Sequence, residues 1–377
     1  MKKIVFLTGT RADYGKIKSL MKKVECSLDF ELHIFVTGMH MFSKYGSTWR
    51  EIEKDGFQNI YKYINQYQDS NMDTALSNTI LGFGNYVKEL KPDLIVVHGD
   101  RLESLAGAIV GAFNNIKVAH IEGGEISGTI DESIRHAITK FSHIHFVSNE
   151  AAKKRVVQMG EQTRDIFVIG SPDIDIMLSN ELPTLEMVKT RYKIPFNSYA
   201  ILMYHPVTTE IQHTHTNAQI LVNSLIKSGL NYVVIYPNND TGSADILQEY
   251  EHLKHNSRIR IFPSIRFEYF LVLLKNSNFI IGNSSAGIRE TGVYGIPAID
   301  IGNRQKNRYT RGESSNIFHA VENEKDILLK IKQVLKFKGT ESKTYGKGDS
   351  DIKFLEVLER KDIWNMEIQK NFIDVKN

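Results

Sequence analysis

Cysteine is almost absent from this sequence of 377 residues, in which Cys26 is the only one. A single cysteine cannot form a disulfide within the chain, and it cannot supply a cysteine-based zinc site. This usage is typical of proteins in a reducing compartment, so we expect a cytoplasmic location.

Long apolar runs are missing as well. The first run, Ile4–Leu7, ends after four residues, whereas a signal peptide needs about 7 to 15 apolar residues and a membrane span about 18. No later stretch of the sequence reaches the length of a span. We therefore expect a soluble protein without a membrane partner.

Neither sign of charge dominates, because 47 Lys and Arg residues face 44 Asp and Glu residues, for a formal net charge of +3. This balance does not favour a polybasic surface, so we expect no nucleic-acid partner. The 13 histidines include no pair with metal-ligand spacing and supporting acids, and the nucleophile motif Gly-x-Ser-x-Gly does not occur. We therefore expect no metal, and chemistry that depends on carboxylates.

What the sequence does contain is a regular alternation of short apolar runs and helical patterns, which indicates parallel sheets covered on both faces. Strands are predicted at Ile4–Leu7, Glu31–Val36, Leu94–Val97, Val118–Ile121, Ile144–Val147 and Phe167–Ile169, then at Ala200–Met203, Tyr232–Ile235, Ile259–Phe262, Phe279–Ile281 and Ala298–Ile301. Helices are predicted, among others, at Met72–Leu90, Glu150–Met159, Glu324–Leu335 and Asp351–Arg360.

The length and the polar stretch between the two series favour two domains. We predict an α/β protein with an N-terminal Rossmann-like domain over 1–178, a second over 179–360 and a C-terminal segment over 361–377. Two such domains are expected to form a central cleft, because parallel sheets bind ligands at the carboxyl ends of their strands.

Carboxylates are concentrated where two of the predicted strands end. Asp100 lies in His98-Gly99-Asp100-Arg101, directly after one strand, and Glu122 lies in the glycine-rich end of the next. A lone acid in such a place is more often a turn residue whose oxygens accept from backbone amides. Two acid-bearing strand ends at one sheet edge favour a catalytic site instead.

Asp131 is a third candidate acid, a few residues after Glu122. Thr129 and Glu132 have the spacing of a capping box, which places Asp131 in the first turn of a helix with Arg135 four residues later on the same face. Taken on its own, this segment is better explained as an ordinary helix start. The nearby acids are the reason to include Asp131 in the site.

Two strand-to-helix turns predict anion binding. The first strand leads into a turn with the cations Arg11 and Lys16, and backbone amides at a helix start beside an arginine suit a phosphate. In the second domain, Ser284 and Ser285 begin a similar turn, in which small residues allow close approach to phosphate oxygens. Glu290 follows in the first helical turn, where it suits a ribose diol or simply compensates the helix dipole.

Two further polar side chains are predicted at the same edge of the second domain. His205 follows the strand Ala200–Met203, and Arg304 follows the strand Ala298–Ile301. Together with the two turns, they make a nucleotide diphosphate the preferred ligand.

The combination of motifs resembles the hydrolysing UDP-N-acetylglucosamine 2-epimerases. The motifs that carry the resemblance are His98–Arg101, His120–Thr129, Arg135–Ile138, His205–Thr209 and Gly282–Ser285. The related non-hydrolysing enzymes have Thr where this chain has Arg101, Val-Glu-Ala-Gly in place of Ile121–Gly124, and Arg-Pro-Glu in place of Arg11–Asp13. The resemblance is therefore to the hydrolysing branch.

The resemblance implies a glycosyltransferase-B-like fold, with a C-terminal helix that returns to the N-terminal domain, and no cofactor. It implies elimination of UDP to a glycal, followed by hydration with inversion at C2. The acid/base candidates are Asp100, Glu122 and Asp131. The UDP-binding candidates are Arg11, Lys16, Arg101, His205, Asn238, Ser284, Ser285, Glu290 and Arg304. A homo-oligomer, dimer or tetramer, is also implied.

We expect the substrate to be UDP-N-acetylglucosamine and the product N-acetylmannosamine, for sialic acid biosynthesis and capsule polysaccharide. One alternative is the same reaction on UDP-2,4-diacetamido-2,4,6-trideoxyglucose, as in legionaminic acid pathways. A UDP-sugar glycosyltransferase and a non-catalytic sugar-nucleotide sensor are alternatives from other classes. Clustered acids argue against both of these, and the sequence does not say which acid has which role.

Overall fold

The computed structural model describes residues 1–67, 70–127, 130–309 and 316–374. The chain forms two compact units. Unit 1 consists of Met1–Glu125, Asp131–Ser179 and Thr344–Asn377, and unit 2 of Ile126–Ile130 and Asn180–Lys343.

Unit 1 is built on a seven-stranded sheet in which all neighbouring strands are parallel, in the order β3-β2-β1-β4-β5-β6-β7. Its strands are β1 (Lys2–Thr8), β2 (Phe30–Val36), β3 (Ile60–Lys62), β4 (Leu94–His98), β5 (Lys117–Ile121), β6 (Ile144–Val147) and β7 (Ile166–Val168). The α-helices between and after these strands are α1 (Arg11–Cys26), α2 (Trp49–Lys54), α3 (Met72–Leu90), α4 (Leu102–Phe113), α5 (Ile130–Phe141), α6 (Glu150–Gln158) and α7 (Pro172–Met177).

Unit 2 repeats the architecture with a six-stranded parallel sheet in the order β10-β9-β8-β11-β12-β13. Its strands are β8 (Ala200–Met203), β9 (Tyr232–Ile235), β10 (Ile259–Phe262), β11 (Ile280–Gly282), β12 (Ala298–Ile301) and β13 (Ile317–Ala320). Its α-helices are α8 (Leu185–Tyr192), α9 (Thr214–Ser228), α10 (Ser243–Tyr250), α11 (Phe267–Lys275), α12 (Glu290–Tyr294) and α13 (Glu324–Val334).

The apolar runs become central strands because helices cover both faces of each sheet. Every residue of Leu94–Val97 in β4 has no exposed surface, as expected for a strand buried on both sides. The sheet of unit 1 separates two apolar clusters, one that contains Phe6 and Phe146 and one that contains Phe35 and Phe83. The predicted class, two parallel-sheet Rossmann-like domains, is confirmed.

The end of the chain returns to unit 1. It forms α14 (Ser350–Leu358) and α15 (Lys361–Asn365), and Phe354 is fully buried in the unit 1 core. The Asp175 carboxylate of α7 accepts hydrogen bonds from the backbone N–H groups of Ser350 and Asp351, both at 2.9 Å. The return therefore begins at Thr344, before the expected residue 361, because α14 packs with unit 1.

Within the described ranges, no helix combines the length and the apolar character that crossing a bilayer would require.

Candidate active site

The first group of site residues lies where β4 and β5 of unit 1 end side by side. His98, the last residue of β4, pairs with Ile121, the last residue of β5. Gly99 follows in the left-handed region with φ +71°, and its N–H donates to the Ile121 carbonyl at 2.9 Å. Asp100 and Glu122 therefore follow neighbouring strands at one sheet edge, which is where strand alternation predicts ligand-binding residues.

Glu122 has a left-handed backbone conformation with φ +64°, which residues other than glycine rarely adopt. Its N–H donates to the Phe146 carbonyl of the neighbouring β6 at 2.8 Å, and its side chain is buried. Gly124 follows with φ +76°, and a Cβ atom there would lie 2.3 Å from the Ala152 carbonyl oxygen. The strand end is thus a tight turn that holds the carboxylate of Glu122 inside unit 1.

His98 joins two carboxylates. Its Nδ1 lies 2.7 Å from Oδ1 of Asp13, and its Nε2 lies 3.2 Å from Oε2 of Glu122. Burial alone would lower the pKa of this imidazole, but the charges and hydrogen bonds of Glu122 and Asp13 outweigh that effect and raise the pKa to about 9. His98 is therefore an imidazolium at neutral pH, with one ring N–H directed to each carboxylate.

Hydrogen-bond donors also contact the second oxygen of each carboxylate, the one that does not face His98. Oδ2 of Asp13 accepts from the Thr8 hydroxyl at 2.6 Å and from the Gly9 N–H at 3.2 Å. Oε1 of Glu122 accepts from the hydroxyl of Ser171, which is fully buried. We call these linked residues the Asp13–His98–Glu122 chain.

His120, one residue before the end of β5, is held in the opposite charge state. Burial lowers its pKa to about 3, and the neighbouring charges of His145, Arg135 and His98 act in the same direction against the hydrogen bond to Gly99. Its Nε2 lies 2.8 Å from the Gly99 carbonyl and therefore carries the proton. Neutral His120 thus supports the turn that presents Asp100.

Arg135 of α5 forms an ion pair with Asp100. The guanidinium side chain is 2% exposed and also donates to the Glu125 carbonyl at 2.9 Å, whereas the Asp100 side chain is 25% exposed. Arg135 was expected as a neighbour of Asp131, and its contacts with Asp100 and Glu125 show that it also ties α5 to the strand ends. Asp131 lies one helical turn earlier, in the first turn of α5, and its predicted capping partner Thr129 is outside the described residues.

The cations predicted to bind phosphate in unit 1 have carboxylate partners. Arg11 pairs with Glu51, and Nζ of Lys16 lies 3.1 Å from Oδ2 of the fully buried Asp173. Arg101 is the residue before α4, and its Nε lies 3.8 Å from Oε2 of Glu103. These three cations are held by unit 1 itself.

The second group of site residues lies at the carboxyl edge of the unit 2 sheet, around Asn283. Gly282 precedes it with φ +135°, and a Cβ atom there would lie 1.9 Å from the Met203 carbonyl oxygen, so only glycine fits. The buried Asn283 amide donates to the His205 carbonyl at 2.8 Å and accepts from the His205 N–H at 2.7 Å. Asn283 therefore fastens the end of β8 to the end of β11.

Two more predicted residues, Asn238 and Arg304, connect to this pair, together with Gln305. The N–H of Asn238 donates to Nδ1 of His205 at 3.0 Å, which leaves Nε2 of that ring as the N–H donor. Nη1 of Arg304 donates to the Asn283 carbonyl at 3.3 Å, and the amide of Gln305 donates to the same carbonyl at 2.8 Å. The structure thus brings His205, Asn238 and Arg304 together at one edge of the unit 2 sheet.

Ser284 and Ser285 follow directly. The hydroxyl of Ser284 accepts from the Ala286 N–H at 3.3 Å as the cap of a short 3-10 turn over Ser285–Gly287. Glu290 begins α12, as expected, with 2% of its surface exposed. This edge offers hydroxyls, ring and backbone N–H groups and a guanidinium, the donors that a diphosphate accepts from.

Sequence reasoning did not assign roles to several residues that organise the two edges: Asp13, His98, Ser171, Asn283 and Gln305. Asp13, His98 and Asn283 stand in motifs quoted above, so their place after a strand was a signal. Their partners lie far away along the chain: 85 residues separate His98 from Asp13. In the described residues, no group of three or more His, Cys, Asp or Glu side chains is arranged to hold a metal ion.

Comparison with known proteins places this chain beside one group of enzymes. The sequence profile of the family described as UDP-N-acetylglucosamine 2-epimerase matches residues 22–359. The UDP-N-acetylglucosamine 2-epimerase of Neisseria meningitidis serogroup B is 49% identical over the whole of both chains. The hydrolysing UDP-N,N'-diacetylbacillosamine 2-epimerase of Legionella pneumophila is 35% identical over 95% of this chain and 96% of its own.

Solved structures share the fold. The crystal structure of the Methanocaldococcus jannaschii UDP-GlcNAc 2-epimerase, in complex with UDP-GlcNAc and UDP, superimposes with a TM-score of 0.82. The match covers 95% of this chain and 99% of that one, at 22% identity.

Proposed function

The chain belongs to the UDP-N-acetylglucosamine 2-epimerase family, and from this premise we propose that it is the hydrolysing kind of 2-epimerase. It converts UDP-N-acetylglucosamine and water into UDP and N-acetylmannosamine. The observation that carries the proposal is the pair of carboxylates after β4 and β5, of which Glu122 forms an ion pair with a buried imidazolium and Asp100 forms one with Arg135. These are two proton-transfer groups in two different settings at one sheet edge.

Three features of the sequence support the hydrolytic branch. Arg101, the Ile121–Gly124 segment and the Arg11–Asp13 segment each differ from the residues that the non-hydrolysing enzymes carry there. All three lie in unit 1, at the ends of β1, β4 and β5. Asp13 in particular is joined to Glu122 through His98, so this difference reaches the acids themselves.

The first half of the reaction is an elimination. A carboxylate takes the proton from C2, the electron pair of the C2–H bond forms the C1=C2 double bond, and the C1–O bond breaks to release UDP. Asp100, paired with a guanidinium and partly exposed, is the group to which we assign this proton. The hydroxyls of unit 2, with His205 and Arg304, bind the diphosphate on which negative charge collects.

The second half is a hydration of the glycal. The double bond takes a proton at C2 on the opposite face, and the oxygen of a water molecule bonds to C1. One proton of that water stays on the new hydroxyl group, and the other passes to a carboxylate. We assign delivery of the C2 proton to Glu122, whose carboxylate first takes that proton from the His98 imidazolium 3.2 Å away. The proton that the water molecule loses later restores the imidazolium. Asp131 is then the group beside the incoming water.

Product analysis tests this assignment. The purified chain is incubated with UDP-N-acetylglucosamine in D2O without an acceptor, and sugar and nucleotide are followed by NMR. We expect UDP and N-acetylmannosamine to appear together, with deuterium at C2. Accumulation of UDP-N-acetylmannosamine would contradict hydrolysis, and transfer only when an acceptor sugar is added would indicate a glycosyltransferase.

The identity of the amino sugar is tested in the same assay. The Legionella relative is named for a diacetamido sugar, so UDP-2,4-diacetamido-2,4,6-trideoxyglucose is the competing substrate. A kcat/KM at least about 100-fold higher for UDP-N-acetylglucosamine is expected if the site is built for its C4 and C6 hydroxyls. The reverse ratio would assign the chain to the diacetamido substrate, and binding without turnover of either would indicate a sensor.

Three other expectations stay predictions. These are a role in sialic acid and capsule biosynthesis, a cytoplasmic location, which rests on the use of a single cysteine, and a homo-oligomeric state. Gel filtration with light scattering tests the last of these directly.

A further inference from the structure

Asp13 occupies an unusual place for an acid in the first turn of a helix. Such acids compensate the helix dipole from the surface, yet the side chain of Asp13 is only 7% exposed. Both of its oxygens are used within unit 1, by His98, the Thr8 hydroxyl and the Gly9 N–H. It also lies two residues after Arg11, where a bare carboxylate would repel a phosphate.

We propose that Asp13 is a positioning residue, which acts through His98 to fix the orientation and hydrogen bonding of the Glu122 carboxylate. This inference rests on the proposed function, because Glu122 is the acid whose role it explains. Asp13 itself is assigned no contact with substrate.

The geometry of the Asp13–His98–Glu122 chain leaves one arrangement of protons. Each ring nitrogen of His98 faces a carboxylate oxygen, and a carboxylate accepts rather than donates, so both nitrogens carry hydrogens. Asp13 binds Nδ1 at 2.7 Å and thereby directs Nε2 to Glu122. The Ser171 hydroxyl donates to the second oxygen of Glu122, so both oxygens of this carboxylate have a fixed partner.

Few other titratable groups face this ring. Thr8 of β1 supports Asp13, and behind it lies His40, whose Nε2 is 3.2 Å from the Thr8 hydroxyl. His120 of β5 acts on His98 electrostatically. Burial lowers the pKa of His40 to about 4, with smaller effects of Asp13, which raises this pKa, and of Arg11, which lowers it; burial lowers the pKa of His120 to about 3. Both are neutral near pH 7, so Asp13 and Glu122 decide the charge of His98.

The variant Asp13→Asn tests the proposal, with Asp55→Asn as the matched control. Asp55 is a partly buried carboxylate beside α1, where it accepts from Tyr14 at 2.7 Å and pairs with Lys18 at 2.6 Å, and its side chain is 11% exposed. Neither of these two contacts involves the Asp13–His98–Glu122 chain. Both variants lose one negative charge next to the same helix.

The first measurement is the titration of the His98 ring by NMR of histidine-labelled protein, with the signal assigned from His98→Gln. We expect a midpoint near 9 in the unaltered chain and in Asp55→Asn. In Asp13→Asn the midpoint falls by about 1 to 2 pH units, because one of two anionic partners is gone. A purely structural role for Asp13 would leave this midpoint in place, which would overturn the proposal.

The second measurement separates binding from turnover. We expect Asp13→Asn to lower kcat by about 100-fold while the Kd for UDP stays within about twofold. Asp13→Glu restores the anion and recovers part of kcat. An equal kcat in Asp13→Asn and Asp55→Asn would contradict the proposal.

If Asp13→Asn does not fold, Glu122→Gln tests the same chain from its other end, since it too should lower the His98 midpoint. The titration needs no substrate. It therefore stands apart from the product assay: a failure to form N-acetylmannosamine overturns the proposed function, whereas an unmoved His98 midpoint overturns only the role of Asp13.

Discussion

The carboxyl edges of the two sheets are built from different chemistry on the same architecture. At the edge of unit 1, charged groups are tied to one another: Glu122 to His98 and Asp100 to Arg135. At the edge of unit 2, the central residue is the neutral amide of Asn283, which bonds only backbone atoms of His205 in the contacts that fix the turn. A parallel sheet therefore sets where the site lies and leaves open what it does.

The proposed function gives the two edges different tasks, and these tasks account for the difference. Proton transfer requires groups whose protonation is set by close charges, and such charges are strong where water is excluded. Binding a diphosphate requires donors that are already in place and carry little opposing charge. The comparison therefore predicts that substitutions at the first edge lower kcat and substitutions at the second raise Kd.

The largest effect is expected for Glu122→Gln. The amide keeps the size of the side chain but cannot exchange a proton, and we expect kcat to fall by about 100-fold to 10,000-fold. The Kd for UDP, measured by calorimetry, should stay within about twofold. A loss of UDP affinity as large as the loss of kcat would contradict the prediction that the unit 1 edge acts on turnover and the unit 2 edge on UDP binding.

An intermediate effect is expected for Asn283→Ala at the other edge. The buried amide holds both the N–H and the carbonyl of His205, so its removal should weaken UDP binding by about 10-fold to 100-fold. The control is Asn278→Ala, because this exposed asparagine of unit 2 donates only to the Ser198 hydroxyl among its side-chain bonds. Unchanged UDP affinity in Asn283→Ala would remove this turn from the nucleotide site.

The smallest effect is a dependence of stability on pH. The pKa of His98 is raised from the ordinary 6.5 to about 9, so its contribution to stability is complete below pH 6.5 and is lost as the pH rises through 9. One such proton changes the free energy of unfolding by up to about 1.4 kcal/mol per pH unit in this window. Denaturant unfolding of the unaltered chain should show this slope of the free energy of unfolding with pH, and His98→Gln should lack it. An identical slope in both proteins would show that His98 is not the group that titrates in this window.

Much of the fold was predictable from local pattern. Met72–Leu90 is a helix with the predicted bounds, and eleven strands lie where apolar runs predict them, with shifts of one residue at Ile166–Val168 and Ile280–Gly282. The strands β3 and β13 were not predicted. Both lie at sheet edges, where one side is open and the apolar run is short; Tyr61 in β3 is 43% exposed.

The candidate site divides in the same way. Asp100 and Glu122 were predicted because their place after a strand is a local property of the sequence. The partners that set their chemistry were not, because 49 residues separate Ser171 from Glu122 and 35 separate Arg135 from Asp100. Which buried groups meet across a sheet depends on the packing of several helices, and a single sequence carries no direct signal of it.

The left-handed backbone at Glu122 has a consequence for any attempt to improve this protein. With φ +64°, glycine would relieve about 1 kcal/mol of strain at this position. Glycine there would also leave the His98 imidazolium and the Ser171 hydroxyl without their buried partner, and breaking a buried ion pair costs about 3 to 5 kcal/mol. A screen for thermal stability would therefore keep the glutamate, although its backbone conformation taken alone favours glycine.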